Sequence, residues 1–190
     1  MALKYTNRRG QTYVLHQGTT KTGKPKYYFS LKTEGNVIDS IPEGYEIYEN
    51  PNSQVYLRKI QPKVFSDREL ETVEQGIKRY SKVKHFIIDV KDKSIIIYLA
   101  DEDVLNLPAI FSPFGGKDNY LKHLKTLLTY TPMMRFLRRK DSKNFWVQRW
   151  CFRGSVDDWI DLDAGEDLES LVKKYAHHLG QESFYELYGF

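Results

Sequence analysis

A four-residue segment, Ser66-Asp67-Arg68-Glu69, restricts the fold of this chain more than any other feature of the sequence. It has the pattern of a capping box, in which the Ser66 hydroxyl and the Glu69 carboxylate bind each other's free backbone N–H groups. The sequence therefore predicts a helix that starts at Ser66 and continues to about Lys82. The residues that follow the box at helical spacing form one apolar stripe, made of Leu70, Val73, Ile77 and Tyr80.

Alternating patterns typical of β-strands precede this helix. Thr12–Gln17 and Lys26–Lys32 each alternate polar and apolar residues, and a loop containing Gly and Pro lies between them. Tyr45–Glu49 and Gln54–Lys59 form a second pair around an Asn-Pro-Asn-Ser turn. Two successive hairpins favour an antiparallel β-meander in this part of the chain.

A further hairpin is predicted after the helix. Lys84–Val90 and Ser94–Ala100 are rich in β-branched residues and flank the polar turn Lys91-Asp92-Lys93. Both segments are apolar on both faces, which is typical of strands in the middle of a sheet. Farther along the chain, Phe145–Phe152 also has the pattern of a strand.

Two more helix starts follow this hairpin. Asp118 can cap a helix that runs to about Leu128. Thr131-Pro132 has the pattern of a cap with Pro at the first helical position, and it predicts a helix over Met133–Arg139.

The last predicted helix opens at Asp167 or Gly165 and ends at Gly180. Because strand patterns and helices follow each other at irregular intervals, the sequence favours an α+β fold over a doubly wound sheet. We expect an N-terminal antiparallel β module over residues 1–60 and a mixed helix and sheet domain over residues 61–190. The two can also form one continuous domain.

Cysteine usage and hydropathy indicate where the protein resides. Cys151 is the only cysteine, so no disulfide can form within the chain, and this fits a reducing compartment. The first residues lack the apolar segment of a signal peptide. The longest apolar run, Ile95–Ala100, is far shorter than the ~20 residues of a membrane-spanning helix. We therefore expect a cytoplasmic protein that has no membrane partner.

Charge is distributed unevenly along the chain, although the net charge is only +4. Residues 1–33 contain seven basic residues and no acidic one, and residues 117–150 contain nine basic and two acidic residues. Residues 151–190 reverse this balance, with nine acidic residues and three basic ones. Such blocks indicate either a polyanionic partner or pairing between the blocks within the fold.

Basic and aromatic residues interleave in both basic regions, and this composition is typical of nucleic-acid binding. On the predicted strand, Lys26, Tyr28 and Lys32 share one face. We therefore expect non-enzymatic binding to nucleic acid, mainly through contacts with the phosphate backbone. The candidate nucleic-acid-binding residues are Arg8, Arg9, Lys21, Lys24, Lys26, Tyr28, Lys32, Arg135, Arg138, Arg139, Lys140, Lys143 and Arg149.

An alternative function is that of an interaction module, which would bind a protein partner through its acidic C-terminal segment and an aromatic surface. Within the fold, the same acidic residues could instead pair with Arg138 and its basic neighbours. Exposed cations on a single side of the molecule would favour nucleic acid, and ion pairs with the acidic segment would favour internal pairing. The carboxylates concerned are Asp157, Asp158, Asp161, Asp163, Glu166 and Asp167.

The third hypothesis is a metal-dependent nuclease, which requires clustered carboxylates for the ion and a Lys to activate water. Asp89 and Lys91 leave the same face of a predicted strand, and Glu71 or Glu74 on the preceding helix could supply a third group. Other metal sites are not indicated, because no two His have the i, i+4 spacing and a lone Cys supplies no thiolate pair. For the preferred function we expect no metal and no cofactor.

Overall fold

The computed structural model describes residues 2–106, 117–139, 142–152 and 157–188. The chain divides into two compact units. The first unit comprises Met1–Pro62 and Asp103–Leu128, and the second unit comprises Lys63–Glu102 and Thr129–Phe190. The expected division into domains near residue 60 stays a prediction.

Helices and antiparallel sheets together confirm the predicted α+β class. None of the helices in the described ranges is long and apolar enough to span a membrane. In chain order the elements are β1 (Lys4–Thr6), β2 (Thr12–Thr19), β3 (Pro25–Ser30), β4 (Tyr45–Glu49), β5 (Val55–Lys59), α1 (Asp67–Tyr80), β6 (Phe86–Lys91), β7 (Ser94–Ala100), a 3-10 turn (Asp103–Asn106), α2 (Lys117–Leu127), β8 (Tyr130–Arg138), β9 (Phe145–Cys151), β10 (Asp158–Gly165), α3 (Leu168–Ala176) and a 3-10 turn (Glu182–Phe184).

The first unit contains a three-stranded antiparallel sheet in the order β1-β2-β3 and a separate two-stranded hairpin, β4-β5. Both predicted hairpins form, but they lie in separate sheets instead of one meander, and β1, which the sequence did not predict, completes the larger sheet. Aromatic contacts cover one face of the larger sheet. The Tyr27 ring lies edge-on to Tyr45 at 5.6 Å, and the Phe29 ring lies 6.4 Å from Tyr5.

The second unit contains a five-stranded antiparallel sheet in the order β10-β9-β8-β7-β6. Side chains alternate between the two faces of each strand, and α1 and α3 pack on one of them, which we call the helix-packed face. The core on this face joins Ile95, Ile97, Met134, Phe136 and Val147 of the sheet to Val73, Ile77, Leu171 and Val172 of the helices.

The capping box predicted at the start of α1 is confirmed. The Ser66 N–H donates to the Glu69 carboxylate at 2.8 Å, and the Glu69 N–H donates to the Ser66 hydroxyl at 3.3 Å. Farther along α1, Gly76 allows α3 to approach closely, because a β-carbon there would collide with Val172. The final helix is confirmed as well, with Asp167 as its N-cap and Gly180 at a φ of +73° beyond its end.

The helix predicted from Thr131-Pro132 is wrong, because these residues belong to strand β8. Pro132 pairs with Tyr98 beside a register shift, and a proline is tolerated in a strand at such an irregularity because its missing N–H breaks no regular ladder. Met134 and Phe136 then pair with β7 on one side and β9 on the other. Pairing on both sides therefore outweighs the local helix signal.

Two strand assignments also differ from expectation. The predicted hairpin forms from β6 and β7, but β6 lies at the edge of the sheet instead of its middle. The acidic segment before Asp167 forms strand β10, for which the sequence pattern gave no prediction. A register shift between Asp161 and Asp163 interrupts its pairing with β9 and obscures the alternation of a regular strand.

Candidate nucleic-acid interface

Strand register gathers lysines on one face of the three-stranded sheet in the first unit. Residues that oppose each other across antiparallel strands share a face. Tyr28 opposes His16 and Lys26 opposes Gly18, while Lys4 on β1 opposes Val14, which is two residues before His16 on β2. We call this side of the sheet the lysine face, and it lies opposite the face that carries Tyr27 and Phe29.

Tyr28 packs against His16 on the lysine face. Its ring stacks on the His16 imidazole with a centroid distance of 5.3 Å and an interplanar angle of 11°. A β-carbon at Gly18 would be 3.5 Å from the Tyr28 ring, so the ring also covers the glycine. Tyr28 nevertheless keeps 43% of its surface exposed, whereas His16 is only 3% exposed. Tyr28 therefore has one ring face against His16 and keeps a large part of its side chain open to solvent.

A backbone contact fixes the imidazole beneath this ring. The His16 Nε2 atom lies 2.9 Å from the Lys32 carbonyl oxygen. Because a carbonyl oxygen only accepts, Nε2 carries the proton and donates it. The contact holds the chain that follows β3 against the sheet, and the Lys32 side chain there is exposed.

The lysines in this region keep their charges free. Within the described residues, none of them takes part in an ion pair or a side-chain hydrogen bond. All are exposed. Two of them lie in the loop between β2 and β3, and the set consists of Lys4, Lys21, Lys24, Lys26 and Lys32.

Arg8 and Arg9, the two arginines of the same basic block, bind other residues of the first unit. The Arg8 guanidinium pairs with Glu49 at 2.7 Å, although Arg8 itself is exposed. Burial alone would raise the pKa of Glu49, but hydrogen bonds from Arg8 and Tyr5 outweigh burial and lower this pKa. Arg9 is half-buried and donates to the Leu128 carbonyl at 2.8 Å.

Sheet alternation separates the C-terminal candidates. Arg138 opposes Phe145 and Arg149 opposes Met134, so both lie on the helix-packed face, whereas Arg135 opposes Gln148 on the other face. These basic residues therefore do not form one surface. Lys143 is exposed, and Lys140 lies outside the described residues.

The two arginines of the helix-packed face hold other elements in place. Arg149 is 4% exposed, and its Nε donates to the Leu187 carbonyl at 2.6 Å. Arg138 donates to the Val64 carbonyl at 3.0 Å and pairs with Glu69. Burial raises the pKa of Glu69, but hydrogen bonds from the Ser66 N–H and from Arg138 outweigh burial, and the pKa is lowered. Arg138 thus joins the start of α1 to the sheet.

The opposite face of this sheet carries all three tryptophans, and we call it the tryptophan face. Trp150 and Trp159 oppose each other with ring centroids 5.1 Å apart, and Trp146 opposes Ala164 farther along β9. The Arg135 guanidinium lies 4.4 Å from the Trp159 ring centroid, and Arg139 lies 3.6 Å from that of Trp146. Cations and rings therefore stack on each other across the face.

Acidic residues of β10 balance these cations. Asp161 lies 3.2 Å from the Arg139 guanidinium and accepts from the Gln148 amide at 2.6 Å. Burial lowers the pKa of Arg135, and the charges of Asp158 and Asp161 oppose this effect without cancelling it. Part of the basic block is thus paired internally with the acidic segment, as the competing hypothesis expects.

Of the residues named for a nuclease, Asp89 and Lys91 share one face of β6, but Asp89 and Glu71 lie apart. Asp89 opposes Ile96, which opposes Arg135, so its carboxylate lies on the tryptophan face. Glu71 lies on α1, in a groove with Arg68 and Glu169 beside the opposite face. Among the residues that the structure describes, no group of three His, Cys, Asp or Glu side chains could hold a metal ion. The geometry therefore gives the nuclease hypothesis no support.

Sequence reasoning missed two members of the lysine face. Lys4 lies on a three-residue strand, which is too short for a visible alternation, and its place becomes known only from its pairing with β2. In the sequence, His16 has the pattern of an ordinary polar residue of a strand, although its imidazole packs against the Tyr28 ring. No local signal in the sequence indicates either role.

The two faces offer different chemistry to a partner. The lysine face combines unpaired cations with one exposed ring, while the tryptophan face combines several rings with balanced charge. None of the family models, curated proteins or solved structures compared with the chain matches it.

Proposed function

We propose that this protein binds nucleic acid without catalysing a reaction, and that the lysine face of the first unit makes contact with the phosphate backbone. One observation carries the proposal. Five exposed lysines lie on or beside one sheet face and make no ion pair within the described part of the chain. Cys151 is a buried, free thiol, which fits the reducing cytoplasm that we expect for the protein.

The physical reason is the release of counterions. Each lysine that neutralises a phosphate releases condensed cations, so affinity rises with the number of such contacts and falls steeply with salt. A cation that is already paired with a carboxylate contributes little, because binding must first break that pair. Unpaired lysines therefore suit this role better than Arg138, whose partner Glu69 lies within the fold.

The test is a charge reversal of three lysines, Lys24→Glu, Lys26→Glu and Lys32→Glu in one protein. Affinity for a labelled oligonucleotide is measured by fluorescence anisotropy at several salt concentrations. We expect affinity to fall by at least ~100-fold near 50 mM salt. The slope of log affinity against log salt should become smaller by about three units, because about three phosphate contacts are lost.

A matched control carries the same change in charge on the second unit, with Lys82→Glu, Lys84→Glu and Lys173→Glu, which are also exposed. It should retain most of the affinity. An equal loss in the control would mean that net charge and not the lysine face drives binding. No binding by the unmodified protein to DNA or RNA at low salt would refute the proposal.

The tryptophan face favours a second function, the binding of a protein partner. Aromatic residues are enriched at protein interfaces and free charges are depleted there, and on this face Arg139 is paired with Asp161. Phe152, next to Trp150, keeps 49% of its surface exposed. Phe152→Ala should then weaken binding to a copurifying protein, while Tyr185→Ala, a similarly exposed ring elsewhere, should not.

A further inference from the structure

The lysines alone indicate a ligand with a phosphate backbone, and the geometry of Tyr28 restricts this class further. We infer that the lysine face binds single-stranded nucleic acid and that an unpaired base stacks on the Tyr28 ring. This inference rests on the proposed function and goes beyond it, because contacts with phosphate are available in single strands and duplexes alike.

The ring is already held in the position that stacking requires. One face of the ring lies against His16 at 11° to the imidazole plane, and His16 is itself fixed by the Lys32 carbonyl. A ring held in this way loses little conformational freedom when a base covers it. The exposed part of Tyr28 is therefore a preformed platform for a flat apolar ligand.

A duplex cannot use this platform. Its bases are stacked on each other, and only their edges reach the grooves. With His16 against one side of its ring, Tyr28 has only the other ring face to offer to a base, whereas groove readout requires side chains whose polar atoms reach base edges. Unpaired bases have free faces, and proteins that bind single strands combine such aromatic platforms with a basic surface that follows the backbone.

Lysines lie on both sides of the platform. Lys26 is two residues before Tyr28 on β3, which places it ~7 Å along the strand on the same face. Lys4 lies on β1, beyond the central strand β2, which places it ~10 Å across the sheet. Phosphates on either side of a base stacked on Tyr28 therefore meet a cation.

The β4-β5 hairpin supplies a matched control ring. Tyr56 is 46% exposed, close to the 43% of Tyr28, and it also stacks on a neighbour, with its centroid 6.4 Å from that of Tyr48. Tyr56 lies outside the β1-β2-β3 sheet. Its removal changes exposed aromatic area without changing the lysine face.

The experiment measures four probes of ~10 nucleotides by fluorescence anisotropy at one salt concentration. They are single-stranded DNA, single-stranded RNA of the same sequence, the DNA duplex, and an abasic phosphodiester strand of equal length. Tyr28→Ala should weaken binding of the two single strands by roughly 5- to 150-fold, the effect of one stacked base. Binding of the duplex and of the abasic strand should change less than ~2-fold. Comparison of the DNA and RNA strands shows which sugar the site prefers.

Two further variants distinguish the loss of the aromatic ring from unfolding of the protein. Tyr28→Phe keeps the ring and should bind like the unmodified protein, and Tyr28→Leu keeps an apolar cover over His16 but removes the aromatic face. Tyr28→Leu should therefore lose affinity for single strands while its thermal unfolding stays close to that of the unmodified protein. Tyr56→Ala should retain full affinity.

The outcomes separate the inference from the proposed function. If the triple lysine reversal abolishes binding but Tyr28→Ala and Tyr28→Leu leave it intact, the lysine face binds nucleic acid and the stacking inference is wrong. Equal affinity for the abasic and the natural strand would overturn it as well. If neither the lysines nor Tyr28 affect any probe, the proposed function itself fails.

Discussion

The lysines of the first unit and the arginines of the second unit come from basic blocks of similar size, yet the fold uses them in opposite ways. The lysines lie exposed beside β1-β2-β3 without ion pairs in the described residues. The arginines contact carbonyls, carboxylates and rings. The guanidinium group has five donors in a planar fork and binds several acceptors at once, whereas the ammonium group is a strongly hydrated point charge. Basic blocks of similar charge therefore supply structural cations at these arginines and available cations at these lysines.

The largest expected effect concerns Arg149, the most buried of these cations. Arg149→Ala should lower the free energy of unfolding by about 3 kcal/mol, because the Leu187 and Tyr185 carbonyls both lose a charged donor. Urea denaturation measures this change. Lys32→Ala, in which no side-chain bond is lost, is the control and should stay within ~0.5 kcal/mol of the unmodified protein. If Arg149→Ala left the free energy of unfolding unchanged, the distinction between structural and available cations would be wrong.

A smaller effect is expected at Glu69, which accepts from both Ser66 and Arg138. Glu69→Gln should cost about 1 kcal/mol at neutral pH, since it weakens the cap and removes the ion pair. Burial is outweighed by these hydrogen bonds, and the pKa of Glu69 lies below the ordinary value of a glutamate, so the carboxylate stabilises the fold at pH values above that ordinary value. The stabilisation is lost as the pH falls through the lowered pKa in the folded state.

The difference in unfolding free energy between Glu69→Gln and the unmodified protein should therefore shrink between pH 7 and pH 3. Denaturation series at both pH values measure it. Arg138→Ala removes the same ion pair and serves as a second variant, and its cost should shrink in the same direction. A cost that grows on acidification would contradict the structural role of this pair.

The elements that the sequence predicted are those with local signals. Ser66 and Glu69 define the start of α1 through contacts within four residues, and Asp167 defines the start of α3 in the same way. Strand β8 could not be predicted, because Pro132 gives a local helix signal and only pairing with β7 and β9 overrides it.

In the candidate site, too, the sequence predicts what depends on neighbouring residues and not what depends on distant ones. Lys26 and Tyr28 share a face because they are two residues apart on one strand, and this needs no tertiary information. The sequence alone does not separate Arg138 and Arg149 from the other cations, because it shows their charge but not the carbonyls and carboxylates that they contact. Their partners Glu69 and Leu187 lie far away in the chain, at separations that no local pattern encodes.

The smallest expected effect on stability is at Lys26, where stability and binding can be measured on the same variant. Lys26→Ala should change the free energy of unfolding by less than ~0.5 kcal/mol, because the side chain is exposed and loses no partner in the described structure. The same substitution should make log affinity for nucleic acid less dependent on log salt, by about one unit of slope. Denaturation and anisotropy titrations on the same preparation measure both quantities. A stable variant with an unchanged salt slope would mean that Lys26 is merely solvated, and a destabilised variant would mean that it is structural like Arg149. Only the combination of unchanged stability and a reduced slope identifies a cation that is available for a phosphate.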